Sequence, residues 1–321
     1  MGRYDERDAM FSRMAYEKGS PQYEEYYRRH PEKQELDDRL RSSNGLCSPA
    51  SLFYDPFLSG IAAANFQFLA DIKLFSERAI RDRRILLESR EATLLLKNLA
   101  MDVGADVVGV ASMSPDFYYS VRGRIPKYYG DRIAEFQPYG VVFAVQMDRE
   151  MIDSSPKSPE IVESSRKYIE AAIIGMQLSY FIRNLGYKAR NHMDGNYLCI
   201  LPLVAEAAGL GVFGRHGLII SAEFGPRIKL GLVTTDLPLE TDSKLDLDLE
   251  EFCNDCGKCA SGCPGSAIPA DRKEEFEGTR RWIIDQERCY SYWMKAGTDC
   301  GLCIKNCPFS KTANLYPFSK Y

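Results

Sequence analysis

Cys253-Asn-Asp-Cys256-Gly-Lys-Cys259-Ala-Ser-Gly-Cys263-Pro264 sets four cysteines at short fixed steps and closes them with a proline. This is the spacing of the bacterial iron–sulfur run, in which three thiolates hold one 4Fe–4S cube and the fourth reaches another. A second copy follows, stretched at its front: Cys289, then Cys300-Gly-Leu-Cys303-Ile-Lys-Asn-Cys307-Pro308. By the crossing rule, cluster one takes Cys253, Cys256, Cys259 and Cys307, and cluster two takes Cys289, Cys300, Cys303 and Cys263. Structural zinc also uses Cys-x2-Cys pairs. Zinc leaves the three-cysteine run and the repeated Cys-Pro unexplained, so two cubanes are the expectation.

Eight of the ten cysteines lie between Cys253 and Cys307, whereas disulfide frameworks are spread through small secreted domains. The clustering therefore predicts metal binding in a reducing, cytoplasmic and anaerobic setting. Cys47 and Cys199 read as small buried hydrophobes. The formal net charge is −4, which gives no basic excess for nucleic acid. No apolar run approaches the roughly 18 to 20 residues of a membrane span. The N-terminus, Met1-Gly2-Arg3-Tyr4-Asp5-Glu6, is charged from the outset, and no export signal is expected.

Working back from the cysteines, the acidic stretch Asp242 to Glu251 reads as a linker. Upstream of it, apolar periodicity predicts a helix from Ile72 to Ala100, ended by Gly104, and a longer one from about Pro159 to Leu185, ended by Gly186. Buried strands are expected at Asp106–Ala111, Tyr139–Gln146 and Tyr187–His192, and a short helix at Leu201–Ala208. A hairpin is expected with Gly217–Ser221 and Ile228–Thr235 as its arms. The alternation describes an α+β sheet domain. Residues 1–70 are polar, but Met10, Phe11, Met14, Tyr16, Tyr23, Tyr26 and Tyr27 carry too much apolar surface for a disordered arm, so this segment should wrap the body. The expected divisions are 1–70, 71–245 and 246–321.

Glu6-Arg-Asp-Ala-Met-Phe-Ser-Arg13, Tyr23-Glu-Glu-Tyr-Tyr-Arg-Arg-His-Pro-Glu-Lys33 and Asp37-Asp38 resemble the start of reductive dehalogenase catalytic subunits. Ala208-Gly-Leu-Gly211, Gly214-Arg-His-Gly217, Phe224-Gly-Pro-Arg227 and Thr234-Thr-Asp-Leu-Pro-Leu239 resemble that family's corrinoid-binding core. The resemblance implies a nitroreductase-like corrinoid-binding sheet domain holding base-off cobalamin, with a C-terminal bacterial ferredoxin-like two-cluster module. It further implies an organohalide substrate, an external ferredoxin- or flavodoxin-type electron donor and, among possible assemblies, a homodimer. Epoxyqueuosine reductases share the glycine-rich segment and the cluster module. Their likeness is weaker at the N-terminus, and Trp293-x6-Cys300 is as in the dehalogenases. An electron-transfer or corrinoid-reactivating subunit is the remaining alternative.

Gly209, Gly211, Gly214 and Gly217 within nine residues are costly in chain entropy unless something approaches the backbone closely. A bulky planar ligand would do so; a tight helix-to-strand turn is the plainer reading. With them, Asn191, His192, Arg215, His216 and Thr235 are the expected corrinoid contacts. The family resemblance implies a tyrosine proton donor beside a basic residue. Tyr119, with Tyr118 behind it, follows the first strand on a loop. Lys188 and Arg190 alternate along a strand and should project to one face as its basic partners. His192 is a possible lower cobalt ligand, but the resemblance implies none, and a satisfied polar histidine is expected.

Overall fold

The long helix predicted from about Pro159 is the backbone of the molecule, and it anchors a four-stranded antiparallel sheet against its side. The computed structural model describes residues 2–76, 78–80, 84–245, 247, 249–276 and 279–311. In chain order the helices are α1 (Met10–Met14), α2 (Pro21–Arg29), α3 (Pro31–Arg41), α4 (Leu58–Ile72), α5 (Ser89–Asp102), α6 (Arg149–Asp153), α7 (Ser158–Asn184), α8 (Leu201–Ala207), α9 (Glu250–Cys256), α10 (Lys258–Ser261), α11 (Gln286–Ala296) and α12 (Leu302–Asn306). The strands are β1 (Val107–Ser112), β2 (Tyr139–Gln146), β3 (Ala189–His192), β4 (Val212–Phe213), β5 (Ile219–Ile220), β6 (Ile228–Thr235), β7 (Glu274–Phe276) and β8 (Thr279–Arg281). The main sheet runs β1-β2-β6-β3.

Both faces of that sheet are covered, which is why β2 reads as a continuous apolar run rather than an alternation. Val141, Phe143 and Val145 pack with α5 and α7, while Val142 and Ala144 pack with α8 and the Tyr118 loop. At Gly175 the helix comes so near β3 that an added Cβ would stand 2.1 Å from Asn191 Oδ1. Much of the apolar surface of the N-terminal segment is buried: Tyr16, Tyr23, Tyr26 and Tyr27 form one aromatic cluster, and Met10 and Leu40 pack on Met294 of α11, while Phe11 is exposed. Arg13 and Asp37 form a fully buried ion pair at 2.6 Å, and Arg13 also reaches Glu287 of α11 at 2.8 Å.

Two expectations are corrected. The helix from Ile72 to Ala100 is divided: α4 ends at Ile72, and α5 begins only at Ser89. Between them Ile85 donates its backbone N–H to Leu185 O, just past the end of α7, and residues 77 and 81–83 lie outside the described residues. The buried stripe of α5 is Ala92, Leu96 and Ala100, whereas Leu94 and Leu95 are exposed. The hairpin is also absent: β5 pairs with β4, and β6 sits in the main sheet between β2 and β3. An eight-residue strand that pairs along its whole length with β2 and over four residues with β3 outcompetes pairing with a two-residue one. Asp246, at the expected start of the cysteine module, and residues 312–321 are outside the described residues. Among the described residues no helix is long and apolar enough to cross a membrane.

Candidate functional site

The cysteines of the module lie close to one another in the fold. Cys253, Cys256, Cys259 and Cys307 line one cavity between α9, α10 and the turn after α12. Burial, reinforced by Cys253, Cys259 and Cys256, pushes the Cys307 thiol up to about 12. The second group shows the same mutual effect: burial, then Glu160, Cys289 and Cys263, pushes Cys300 up to about 12. Burial, then Cys300 and Cys289, raises Cys303 as well. Thiolates crowded this way are stable together only around a strongly cationic core, so the residues fit an iron–sulfur group. Among the described residues no three His, Cys, Asp or Glu side chains close on a point as they would around a single ion.

The glycine-rich motifs serve to dock this module on the sheet domain. Arg215 donates to four backbone carbonyls around the first cysteine run: Nε to Cys253 at 2.9 Å, Nη1 to Pro269 and Asp271 at 2.8 and 2.7 Å, and Nη2 to Asn254 at 3.1 Å. Arg227 donates to Ser310 O and Met147 O, both at 2.8 Å, which ties the turn after Cys307 to the end of β2. A Cβ on Gly225 would stand 2.2 Å from Phe309 O, so only glycine lets that turn settle.

At Gly209, Gly211, Gly214 and Gly217 the close approach to the backbone comes from the chain itself. Cβ atoms there would meet Ser243 O, Ile220 O, the His216 ring and Ile284 respectively. The chain's own atoms fill the space, as in the plainer tight-turn reading. Arg215 and His216 accordingly face the first cysteine group rather than the sheet.

At the end of the sheet nearest the second cysteine group is a cavity of about 260 Å³. Ile200, Leu201 and Pro202 form one wall, Ile228 and Leu230 another, and Ile304, next to Cys303, closes it towards the cysteines. Tyr168 of α7 lines this cavity and also a separate chamber of about 540 Å³. That chamber is walled by Phe11, Phe66, Tyr290 and Trp293, with Lys73 and Arg124 as its cationic groups. The residues after Cys289 continue α11, which places Tyr290 and Trp293 in the wall.

Tyr168 has a basic partner. Lys229 of β6 holds its Nζ 4.2 Å from the Tyr168 ring centre and 4.0 Å from Asp299 Oδ2. The ammonium lowers the Tyr168 pKa while burial raises it, and the balance is above the ordinary tyrosine value. Burial opposes the charge on Lys229, but Tyr168, Asp299 and Glu160 outweigh it and hold the amine protonated. Burial and the neighbouring Asp299 raise the Glu160 pKa well above its ordinary value. Ser164 Oγ donates to Asp299.

The structure separates the expected catalytic set. Tyr119 lines the 260 Å³ cavity, but Lys188 and Arg190 line a different one, together with Tyr118. Arg190 is buried and donates to Asn196 Oδ1 at 2.6 Å, and Lys188 is exposed near Glu135 at 3.7 Å. Neither serves as basic partner to Tyr119, which burial, Glu6 and Tyr4 push upward. His192 is the satisfied histidine expected: Nδ1 accepts from Leu198 N–H at 3.1 Å, and Nε2 contacts Thr234 Oγ1 at 2.9 Å. Asn191 donates to Ala172 O, and Thr235 donates to Lys188 O. These three residues hold the sheet together rather than line the cavity. Tyr168 and Lys229 escaped the sequence reading, although a lysine inside the strand Ile228-Lys-Leu-Gly-Leu-Val233 with both faces covered was a usable signal.

Residues 252–311 match the family model of the 4Fe-4S dicluster domain. Tetrachloroethene reductive dehalogenase of Desulfitobacterium hafniense is 31% identical over 268 residues, spanning 69% of this chain and 48% of that protein. The chain thus spans about half the length of the curated relatives it matches. Epoxyqueuosine reductase of Lactococcus garvieae (strain Lg2) is 32% identical over 122 residues, 35% of this chain and 32% of its own length. Among solved structures, a reductive dehalogenase described with a mechanism for B12-dependent dehalogenation superposes with a TM-score of 0.76 at 25% identity, covering 98% of this chain and 42% of that one. A catabolic reductive dehalogenase in complex with 3-bromo-4-hydroxybenzoic acid gives 0.78 at 23% identity, with the same coverage.

Proposed function

We propose that this chain, a relative of the reductive dehalogenases in sequence and in fold, is a cobalamin-dependent oxidoreductase that replaces halogen by hydrogen on a small organohalide. The reaction balances as R–X plus two electrons and one proton giving R–H and halide. The observation that carries the reading is Tyr168, which forms a wall common to the apolar cavity beside the cysteine module and the aromatic chamber, with Lys229 against its ring.

The aliphatic walls of the smaller cavity suit one face of a corrin. Its volume is below the ~300–1,000 Å³ of clefts that enclose drug-sized ligands, so these residues would hold part of a corrinoid rather than all of it. With both His192 nitrogens occupied, that histidine has none to spare for cobalt. Bound there, the corrinoid would supply the reducing centre, and two 4Fe–4S clusters would feed it single electrons from an external ferredoxin or flavodoxin.

The chain's own part is binding and proton delivery. Phe11, Phe66, Tyr290 and Trp293 exclude water and take an apolar ring or alkene. Tyr168 keeps its phenolic proton at neutral pH and presents it to the chamber. Lys229 steadies the oxygen as the proton leaves, because an ammonium beside a phenol favours the phenolate. An anaerobic cytoplasm fits the free thiols the clusters need. A subunit that only carries electrons would have no use for a chamber of this size.

Purification under nitrogen from corrinoid-producing cells tests the reading by composition. The expected result is about one corrinoid and about eight irons per chain. Full iron with no corrinoid retained or taken up on reconstitution would leave an electron-transfer protein in its place.

A further inference from the structure

His216 has no part in the chemistry just described, yet its surroundings are unusual. It is buried on the wall of the cavity bounded by Cys253, Cys256, Cys259 and Cys307. Its Nδ1 accepts the Leu218 backbone N–H at 3.1 Å, which requires a bare nitrogen there and assigns the ring hydrogen to Nε2. Nε2 is itself buried and has no hydrogen-bond partner among the described residues.

The turn is built to hold the ring in this place. Gly214 N donates to Leu218 O at 2.9 Å and Gly217 N to Gly214 O at 3.0 Å, folding residues 214–218 back on themselves. A Cβ on Gly214 would stand 2.8 Å from His216 Cε1 and 3.2 Å from Nε2, so any other residue would displace the imidazole. The adjacent Arg215 is committed to backbone carbonyls through all three of its nitrogens. A buried donor without an acceptor is rare in a folded protein, and such a donor points to a group the protein atoms do not supply.

We propose that His216 donates its Nε2 hydrogen to a sulfur of the cluster held by Cys253, Cys256, Cys259 and Cys307, and that it thereby raises that cluster's reduction potential. Reduction adds negative charge to the sulfurs, and a fixed donor favours the more negative state. His216 is thus a tuning residue for one of the two electron carriers. The second group has no matching histidine among the described residues, since His30 belongs to the N-terminal helices and His192 is satisfied within the sheet.

Potentiometric titration of the intact protein, followed by EPR, tests this. His216→Phe should shift cluster one to more negative potential by about tenfold in its reduction equilibrium, ~59 mV for one electron. Cluster two serves as the internal reference and should not move. His216→Gln, which restores an N–H donor, should recover most of the shift. An unmoved cluster-one potential in His216→Phe, or a shift in His216→Gln as large as in the phenylalanine variant, overturns the proposal. Should the phenylalanine variant lose cluster one, the unmodified protein decides the matter. With 15N-histidine incorporated, pulsed EPR should detect nitrogen coupling to reduced cluster one, since the chain has three histidines and one of them lines that cavity. Absence of that coupling overturns the proposal as well.

Discussion

Tyr168→Phe should retain both clusters and any bound corrinoid while losing about 100- to 10,000-fold in dehalogenation rate, the usual worth of a general acid. The substitution removes one hydroxyl from a residue on the wall between two cavities and leaves the ring in place. Packing and the ring contact with Lys229 survive; the transferable proton does not. Tyr119→Phe is the comparison, because Tyr119 lines the same small cavity without Lys188 or Arg190 beside it. It should cost far less. Lys229→Met should be intermediate: without the ammonium, the Tyr168 phenol rises further above its ordinary pKa and yields its proton less readily. Steady-state rates with a reduced viologen as donor check all three. If Tyr119→Phe is the inactive variant and Tyr168→Phe runs at the wild-type rate, the donor is the loop tyrosine after all.

Cys307→Ser should abolish the cluster of the first cysteine run, although the serine replaces the last cysteine of the second. Cys307 shares its cavity with Cys253, Cys256 and Cys259, and those thiols raise its pKa. Cys263→Ser should conversely damage the cluster of Cys289, Cys300 and Cys303, since both Cys289 and Cys300 sense Cys263. Iron per chain should fall from about eight towards about four in each variant, or to three-iron species, with EPR identifying the survivor. Loss of the second run's own cluster in Cys307→Ser would mean that the two runs do not cross.

The cysteine pattern was the most legible part of this chain because ligand spacing is a local property, fixed within a few residues. Buried strands such as β2 and the long helix α7 were legible for a similar reason: their apolar runs are longer than any competing element. The glycine-rich segment was visible, but what approaches it was not. Glycines report that something comes close to the backbone, and whether it is a cofactor or Phe309 O and Ile220 O is a matter of tertiary packing. Tyr168 and Lys229 were the least visible, since they are 61 residues apart, on a helix and a strand that meet only in the fold. With 19 tyrosines in the chain, loop position favoured Tyr119, whereas the ammonium of Lys229 stands against the ring of Tyr168 on a helix.

Halide release by the purified, corrinoid-containing chain tests the central claim most directly. Given a titrated reduced donor and a halogenated phenol or alkene sized for the 540 Å³ chamber, the protein should release about one halide for every two electrons consumed, with the hydrogen-substituted product appearing in step. Donor oxidation without halide, at full corrinoid and iron content and across both aromatic and alkenyl halides, would contradict it.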